Sequence, residues 1–374
     1  MPKRVGYLYE KMCDKALIRL AIREGSKGKK KRWDVKLVLK DPEKYVDEIH
    51  RLLVTERYIP TTPRKKRIYD KSCCKWRDIK IVPFFPDGIM HQLCVMAMKD
   101  VLMRGMYTWS CASIPGRGNS WAAKYVKRSL KNDPKGTKHC CKMDIKGYYP
   151  SINRKKVIWM LSRKVKDKRF LKLVYSVINS DPDGGLSIGF YINQWLANYY
   201  LEKLDHFILT LPGVKYYVRN MDDMVLLGPN KKKLHKARKM IDGYLGSKLD
   251  LKLKGNWQVF PVDKRGIDFV GFRFYHTHTA LRRRNFLKFR RNCSRAKKQL
   301  ENDEGITFRM ASGLLARAGQ LKHCNCLKAK QKYYDLIDEK VLKHIVRMEG
   351  RRNTGNRRGV LYHPTTRKEI QRCF

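Results

Sequence analysis

The segment KYYVRNMDDMVLLGPN, residues 215–230, constrains the fold more than any other stretch of the chain. Two apolar arms, KYYV and MVLL, flank Asn220, Met221, Asp222 and Asp223, which reads as a hairpin with two adjacent carboxylates at its tip. Upstream, HCCKMDIKGYYPSI reads as a short buried strand running into a turn. Asp144 ends that strand, and RKKVIWMLSRKV reads as a helix behind it. Strand-end acids far apart in sequence can converge on one edge of a single sheet, which predicts that three carboxylates face one another.

The chain holds 84 Lys and Arg against 34 Asp and Glu, so any surface Asp has cations to pair with. The apolar flanks of Asp222 and Asp223 argue against that solvated role. Partly buried carboxylates without cations repel each other, and a cluster persists at low cost where divalent ions neutralise it. Hard oxygen ligands favour Mg²⁺, with Mn²⁺ as a substitute. Two such ions about 4 Å apart stabilise the attacking and leaving oxygens of an in-line phosphoryl displacement.

A polyanionic partner follows from composition as well. With 374 residues, 43% of them hydrophobic, the chain can bury one large core or two or three smaller ones, which excludes disorder as its main description. Its formal net charge of +50 exceeds what solubility needs and points to nucleic acid. A ribosomal-type binder and a protein of anionic membrane surfaces are the alternatives. The 11 cysteines include the vicinal pairs Cys73–Cys74 and Cys140–Cys141 and the spaced pair Cys324 and Cys326, with no C-x-x-C. Reduced thiols in a cytosolic protein are the expectation. The N-terminus lacks an apolar export region and no run of about 18 apolar residues follows, so neither export nor a membrane anchor is expected, and the location is cytoplasmic.

Periodicity organises the rest. Residues 7–24 read as a helix ending in the cationic loop GSKGKKKRW, and PEKYVDEIHRLLVTERY as a second helix. Pro60, Pro63 and Pro83, with Pro86 just after, exclude a long helix from IPTTPRKKRIYDKSCCKWRDIKIVPFF, and helical period resumes at 87–103. GFYINQWLANYYLEKLDHFILTL reads as one long apolar helix. The final third, LRRRNFLKFRRNCSRAKKQLEN and then Phe308 to Met348, reads as basic helices without a strand between them.

Several of these segments resemble the ordered motifs of reverse transcriptases. MDIKGYYPSI, GLSIGFYINQWLANYYLEKLD, YVRNMDDMVLL and RGIDFVGFRF are similar to successive palm motifs of that family. RDIKIVPFFPDGIMH resembles its fingers motif, SIPGRGNSWAA the template-contacting segment after it, and ASGLLARAGQLKHC the thumb. The resemblance covers residues 5 to 345 and implies an α+β right-hand polymerase. Its divisions are fingers at 1–137, a palm of antiparallel sheet backed by helices at 138–278, a helical thumb at 279–348 and a basic tail at 349–374. The implied activity is RNA-directed DNA synthesis by two-metal nucleotidyl transfer.

Carried over by position, the resemblance makes Asp144 and Asp222 the ligands of both Mg²⁺ ions and Asp223 the supporting third carboxylate. It places Tyr149 beneath the incoming sugar, where the ring excludes a 2′-OH; an ordinary core aromatic is the plainer reading. Arg77 matches the arginine that holds the triphosphate, with Lys75 and Lys80 as possible helpers. Gly189 matches a glycine beside the nascent base pair. Ile188 stands where many members have Gln, and Gln194 where others have Pro, a combination similar to enzymes of diversity-generating retroelements and related phage and bacterial lineages. Gly116, Arg117 and Gly118 match a turn where nucleic-acid backbone approaches. Arg282, Arg283, Lys288 and Arg291 lie on a basic helix, interrupted by Phe286 and Phe289, that suits a duplex backbone; a solvated helix face is the alternative.

Two departures stand out: Asn193 replaces the usual Ser, and Asn220 replaces the aromatic of the catalytic turn. His91, His206 and His323 are isolated from other candidate ligands. The tail RRNTGNRRG reads as a basic segment able to bind a structured RNA. Template RNA and a primer or cDNA are the implied partners, together with a cognate RNA or a small accessory protein. Two rivals share these motifs: an antiviral-defence enzyme with template-independent or protein-primed synthesis, and a catalytically silent RNA-binding protein.

Overall fold

The computed structural model describes residues 4–70, 75–302, 305–335, 337–351 and 361–362. Cys73, Cys74, the basic stretch 352–359 and the residues beyond Tyr362 lie outside them. The chain divides into two compact units, Met1–Gly118 with His139–Val259, and Asn119–Lys138 with Phe260–Phe374.

In the first unit the helical pattern at 7–24 is split. Leu8–Cys13 and Lys15–Ser26 are separate helices, because Asp14 adopts an extended conformation and its carboxylate accepts from Ala16 N at 2.8 Å. Such a cap contributes about 1 kcal/mol. A further helix, Trp33–Lys40, follows the cationic loop; it buries only Val35 and Val38, too few positions to show as a period. Pro42–Val54 and Ile89–Met103 are helices where the pattern predicts them. Between these two, the extended basic region forms an antiparallel ribbon of β1 (Arg64–Asp70) and β2 (Lys75–Ile81).

The central sheet joins β3 (His139–Asp144), β4 (Tyr216–Asn220), β5 (Asp223–Gly228) and β6 (Gln258–Pro261) in the order β4-β5-β3-β6. β5 pairs antiparallel with both β3 and β4. Its run MVLLG is buried throughout, as expected of a strand enclosed on both faces. The helix Lys231–Leu249 packs on β3 and β5 and buries Leu234, Ala237, Ile241 and Leu245, one stripe at helical spacing.

The long apolar segment forms two helices rather than one, Tyr191–Tyr200 and Glu202–Leu209, meeting at Leu201 with φ −95° and ψ 1°. No Gly or Pro marks the break, which lies between two tertiary tethers. Tyr200 Oη donates to Leu249 O at 2.7 Å, and the Asp205 carboxylate faces Arg219. Tyr191–Tyr200 is buried on nearly all sides, so it is an interior helix. Fully burying a side chain such as Phe170 or Phe190 contributes about 1.5–3 kcal/mol.

The second unit contains the helix Asn119–Asn132, a three-stranded antiparallel meander of β7 (Ile267–Phe269), β8 (Phe272–Phe274) and β9 (Thr279–Leu281), and the helices Arg283–Glu301, Phe308–Leu321, Leu327–Tyr333 and Glu339–Arg351. The expectation of helices with no strand between them is corrected by β10 (Ile306–Thr307), which pairs antiparallel with β11 (Leu361–Tyr362). Two residues are too short to alternate visibly, and the pairing partner is remote in sequence. Phe289 belongs to a buried stripe with Cys293 and Ala296, its ring 6.3 Å from that of Tyr334.

Candidate active site

Sheet register brings the acids together. Asp144, the last residue of β3, pairs directly with Asp223, the first of β5. Asn220 also pairs with Asp223 across β4 and β5, which leaves Met221 and Asp222 as a two-residue turn. Met221 sits at φ +60°, a left-handed conformation that costs a side-chain-bearing residue about 1 kcal/mol. The end of β3 is held on its other side too. Ile145 bridges to Leu253, and Lys254 N donates to Asp144 O at 2.8 Å.

The Asp222 carboxyl group is pushed up to about 7. Burial is the largest cause, followed by the charge and the hydrogen-bonding influence of the neighbouring Asp144 carboxylate. Among the described residues, every other carboxyl group with a resolved shift is held below its ordinary value. Lys254 Nζ lies 3.4 Å from Asp144 Oδ2.

The three acids are not equivalent. Asp223 Oδ2 faces Lys142 Nζ at 3.4 Å, so the structure shows a facing pair, Asp144 and Asp222, with Asp223 engaged beside it. No three His, Cys, Asp or Glu side chains among the described residues gather to hold a metal ion by themselves. A pair of carboxylates still fits Mg²⁺, which is commonly bound by one or two carboxylates together with water and substrate phosphates.

Tyr149 Oη reaches Met221 Sδ at 3.8 Å, so this ring lies against the turn. Tyr149 O accepts from Leu186 N at 2.8 Å, and Ile188 O accepts from Lys80 N at 2.8 Å. The segment 186–189 is thus stitched both to Tyr149 and to β2. Gly189 has φ +119°, and a Cβ there would lie 2.2 Å from Lys80 O; no other residue fits without moving backbone. Gln194 occupies the first turn of Tyr191–Tyr200, where its carbonyl accepts from Asn198 Nδ2 at 3.1 Å.

Arg77 is exposed on β2, and its Nε donates to Asp70 Oδ2 at 2.9 Å. Lys80 is the tethered cation of the ribbon. Its Nζ lies 2.7 Å from Asp181 Oδ1 and 2.6 Å from Asp183 Oδ2, and Ser187 Oγ donates to the other oxygen of Asp181. The Arg117 guanidinium donates to Tyr107 O at 2.8 Å and Ser110 O at 3.2 Å, holding its own loop, while Gly116 (φ +76°) and Gly118 (φ +139°) face open space. In the second unit, Arg282 Nε donates to Asp268 Oδ1 at 2.6 Å, Arg283 and Arg291 are exposed, and Lys288 is half-buried.

A buried polar network beneath the turn escapes sequence reasoning. Arg219 is wholly buried; its Nε and Nη2 donate to the two oxygens of Asp205 at 2.7 and 2.6 Å, and its Nη1 donates to Met221 O at 2.9 Å. Tyr217 Oη donates to the same Asp205 at 2.7 Å, and Asn198 Oδ1 takes Arg219 Nη1 at 3.3 Å and Ser110 Oγ at 3.2 Å. The carbonyl of the strained residue is therefore fixed by a guanidinium that is itself fixed. The available signal is an arginine inside a buried apolar strand and an aspartate inside an apolar helix, each of which demands a partner.

The histidines stand elsewhere. His91 packs against the Phe190 ring at 4.7 Å, and burial pushes its imidazole down to about 3. His206 Nε2 lies 2.8 Å from Gly105 O, and His323 lies edge-on to Phe272. Cys13, Cys94, Cys111, Cys141, Cys293, Cys324 and Cys326 are free thiols. No described helix is long and apolar enough to cross a membrane.

Fold and site together define a mixed helix and antiparallel-sheet protein with a carboxylate pair where a strand end meets a hairpin turn. No protein-family model matches the chain. In sequence it is similar to the group II intron-encoded protein LtrA of Lactococcus lactis subsp. cremoris, 25% identical over 183 residues, covering 45% of this chain and 29% of the relative. It is also similar to an uncharacterized 91 kDa protein in the cob intron of Schizosaccharomyces pombe, 28% identical over 180 residues, covering 44% of this chain and 21% of that protein. The chain thus spans less than a third of either relative, and the resemblance of its motifs to reverse transcriptases is borne out by these relatives. Among solved structures, telomerase from Candida tropicalis in complex with a TWJ fragment of telomeric RNA aligns with TM-score 0.47 and 12% identity, over 79% of this chain and 58% of that one. Apo telomerase from the same organism aligns with TM-score 0.44 and 13% identity, over 58% and 48%.

Proposed function

We propose that the chain is an RNA-directed DNA polymerase of a retroelement, adding deoxynucleotides to a primer 3′ end on an RNA template. The nearness of Asp144, at the end of β3, to the buried Asp222, in the turn just before β5, carries this reading. The ordered reverse-transcriptase motifs support it, and the retroelement setting is supported by both sequence relatives being proteins of introns.

In this reading Asp144 and Asp222 hold Mg²⁺, with Asp223 and Lys142 beside them setting the local charge. When bound, the metal lowers the cost of forming the 3′-alkoxide and of charge on the triphosphate. Arg219 positions the turn by fixing Met221 O. Arg77 exchanges Asp70 for the triphosphate, a swap of one anion for a more highly charged one. Gly189 lets segment and ribbon approach where the base pair forms. Extension of a DNA primer on an RNA template with Mg²⁺ and deoxynucleotides tests the activity.

Tyr149 supplies a side-chain test. With its ring against the turn, Tyr149→Ala is expected to raise ribonucleotide incorporation relative to deoxynucleotide by about tenfold or more, because the clash is specific to the 2′-OH. A folding loss cancels in that ratio, so an unchanged ratio removes the gate.

Binding follows charge. With a net charge of +50, affinity for RNA is expected to fall by about 10³-fold or more between 50 and 200 mM salt as counterion release loses its advantage. A flat response measured by filter binding contradicts a phosphate-dominated interface.

A further inference from the structure

We infer that the cavity between the helix Lys231–Leu249 and the following segment Leu251–Leu253 is a binding site for a mononucleotide, with Arg238 meeting its phosphate. The cavity measures about 600 Å³, within the range of about 300–1,000 Å³ usual for small-molecule sites. None of the residues lining it belongs to the carboxylate site, and all lie in the first compact unit.

Two glycines of its wall have no reason within the chain. Gly243 and Gly246 stand inside the helix, exposed, and line the cavity, although glycine is the poorest helix former after proline. Neither has the left-handed backbone that would require it, and among the described residues nothing lies within 4 Å of where a Cβ would stand. No turn and no packing contact there excludes a side chain. What the two positions provide is open depth on the flank of a helix whose opposite stripe is buried.

The chemistry of the wall selects the occupant. Arg238 lines the cavity with its side chain only 14% exposed. Its guanidinium lies 4.3 Å over the Trp257 ring, and Nη1 donates to Asp242 Oδ2 at 3.3 Å. Nε, shut off from solvent, has no hydrogen-bond partner among the described residues. A buried N–H without an acceptor is costly, and an oxyanion entering the cavity supplies one. Lys239 and Lys252, both exposed, line the cavity as well, so three cations stand against the one carboxylate of Asp242. Leu251, Leu253 and the two glycines make the rest of the wall apolar. A bare anion leaves that surface unused, and an apolar ligand leaves Arg238 Nε unanswered. A phosphate carrying a flat base satisfies both, with its base on the apolar wall and its phosphate at the cations.

The cavity is joined to the carboxylate pair through backbone. Lys252 O accepts from Lys146 N at 2.9 Å, Leu253 bridges to Ile145, and Lys254 N donates to Asp144 O. The occupant thus bears on the wall that holds the end of β3 and not on a reacting phosphate. On the polymerase reading this makes the site one of control rather than of chemistry; the cavity itself does not rest on that reading.

The test uses the full chain in EDTA and follows binding of AMP, adenosine and inorganic phosphate by titration calorimetry. AMP is expected to bind more tightly than either fragment by about tenfold or more. Arg238→Met is expected to weaken AMP to a similar degree and to leave adenosine unchanged. Gly243→Ala and Gly246→Ala are each expected to raise the melting temperature by roughly 2–4 °C, because alanine is the better helix former. Their double variant is expected to weaken AMP by about fivefold or more, as the added methyl groups enter the cavity. Glycines kept for the fold give the opposite sign, a lower melting temperature, and overturn the argument. Arg77→Ala, at the proposed triphosphate contact, leaves AMP binding unchanged; a loss there places AMP at the polymerase site and overturns the cavity. No binding at millimolar AMP, or binding that Arg238→Met leaves unchanged, overturns it too. Inorganic phosphate binding as tightly as AMP overturns the nucleotide assignment, as does a matching loss of RNA affinity in the glycine double variant. Primer extension is measured separately: Arg238-dependent AMP binding in a wild type that extends no primer rejects the polymerase reading and keeps the site.

Discussion

Asp222→Ala is expected to lower primer extension by about 10³-fold or more, since removing a ligand forfeits several kcal/mol of charge stabilisation at the reacting phosphate. Asp144→Ala is expected to do the same. Loss of activity by unfolding is separable through pH. The Asp222 carboxyl group is raised from 3.8 to about 7 in the folded protein. Between those values the folded state therefore binds more protons than the unfolded one, and stability falls as pH rises. The contribution is present at about pH 4 and gone above about pH 7. Metal-free wild type is expected to lose melting temperature across that window, while Asp222→Ala lacks this part of the slope and melts no lower than wild type at pH 8. Near-normal extension by either variant would falsify the metal assignment; a variant both inactive and unfolded would mean that the acids hold the fold.

The second large effect concerns the network under the turn. Asp205→Ala leaves the wholly buried Arg219 guanidinium without its counter-charge, which is expected to cost about 3–5 kcal/mol and to lower the melting temperature by roughly 6–15 °C. Replacing both partners by apolar residues, Asp205→Leu with Arg219→Met, is expected to recover much of that stability, because the stranded charge is gone. Extension is not expected to recover with it, since Met221 O has lost its donor and the turn bearing Asp222 its clamp. If stability and extension recover together, Arg219 is structural and does not position the turn. A cost below about 1 kcal/mol for the single variant would mean that water reaches the guanidinium.

The strand ending at Asp144, the hairpin over 216–228 and most helices were legible in the sequence, because apolar periodicity reports which face of a segment is buried. The nearness of Asp144 and Asp222 was legible as well. Asp144 ends one strand and Asp222 stands in the turn just before another, and one sheet has few ways to accommodate them. Gly189 was placed by motif, while its necessity appears only where Lys80 O comes within reach of a Cβ.

Tertiary structure alone decided which charge met which. Asp14 became a cap and divided a helix; Asp205 crossed to Arg219, Asp181 to Lys80, and Asp223 met Lys142. Local pattern is silent on such choices. A charged side chain has many candidate partners in a chain with 84 cations and 34 acids, and the one it takes is set by burial and by residues brought near from far along the chain, 101 positions away for Lys80 and Asp181.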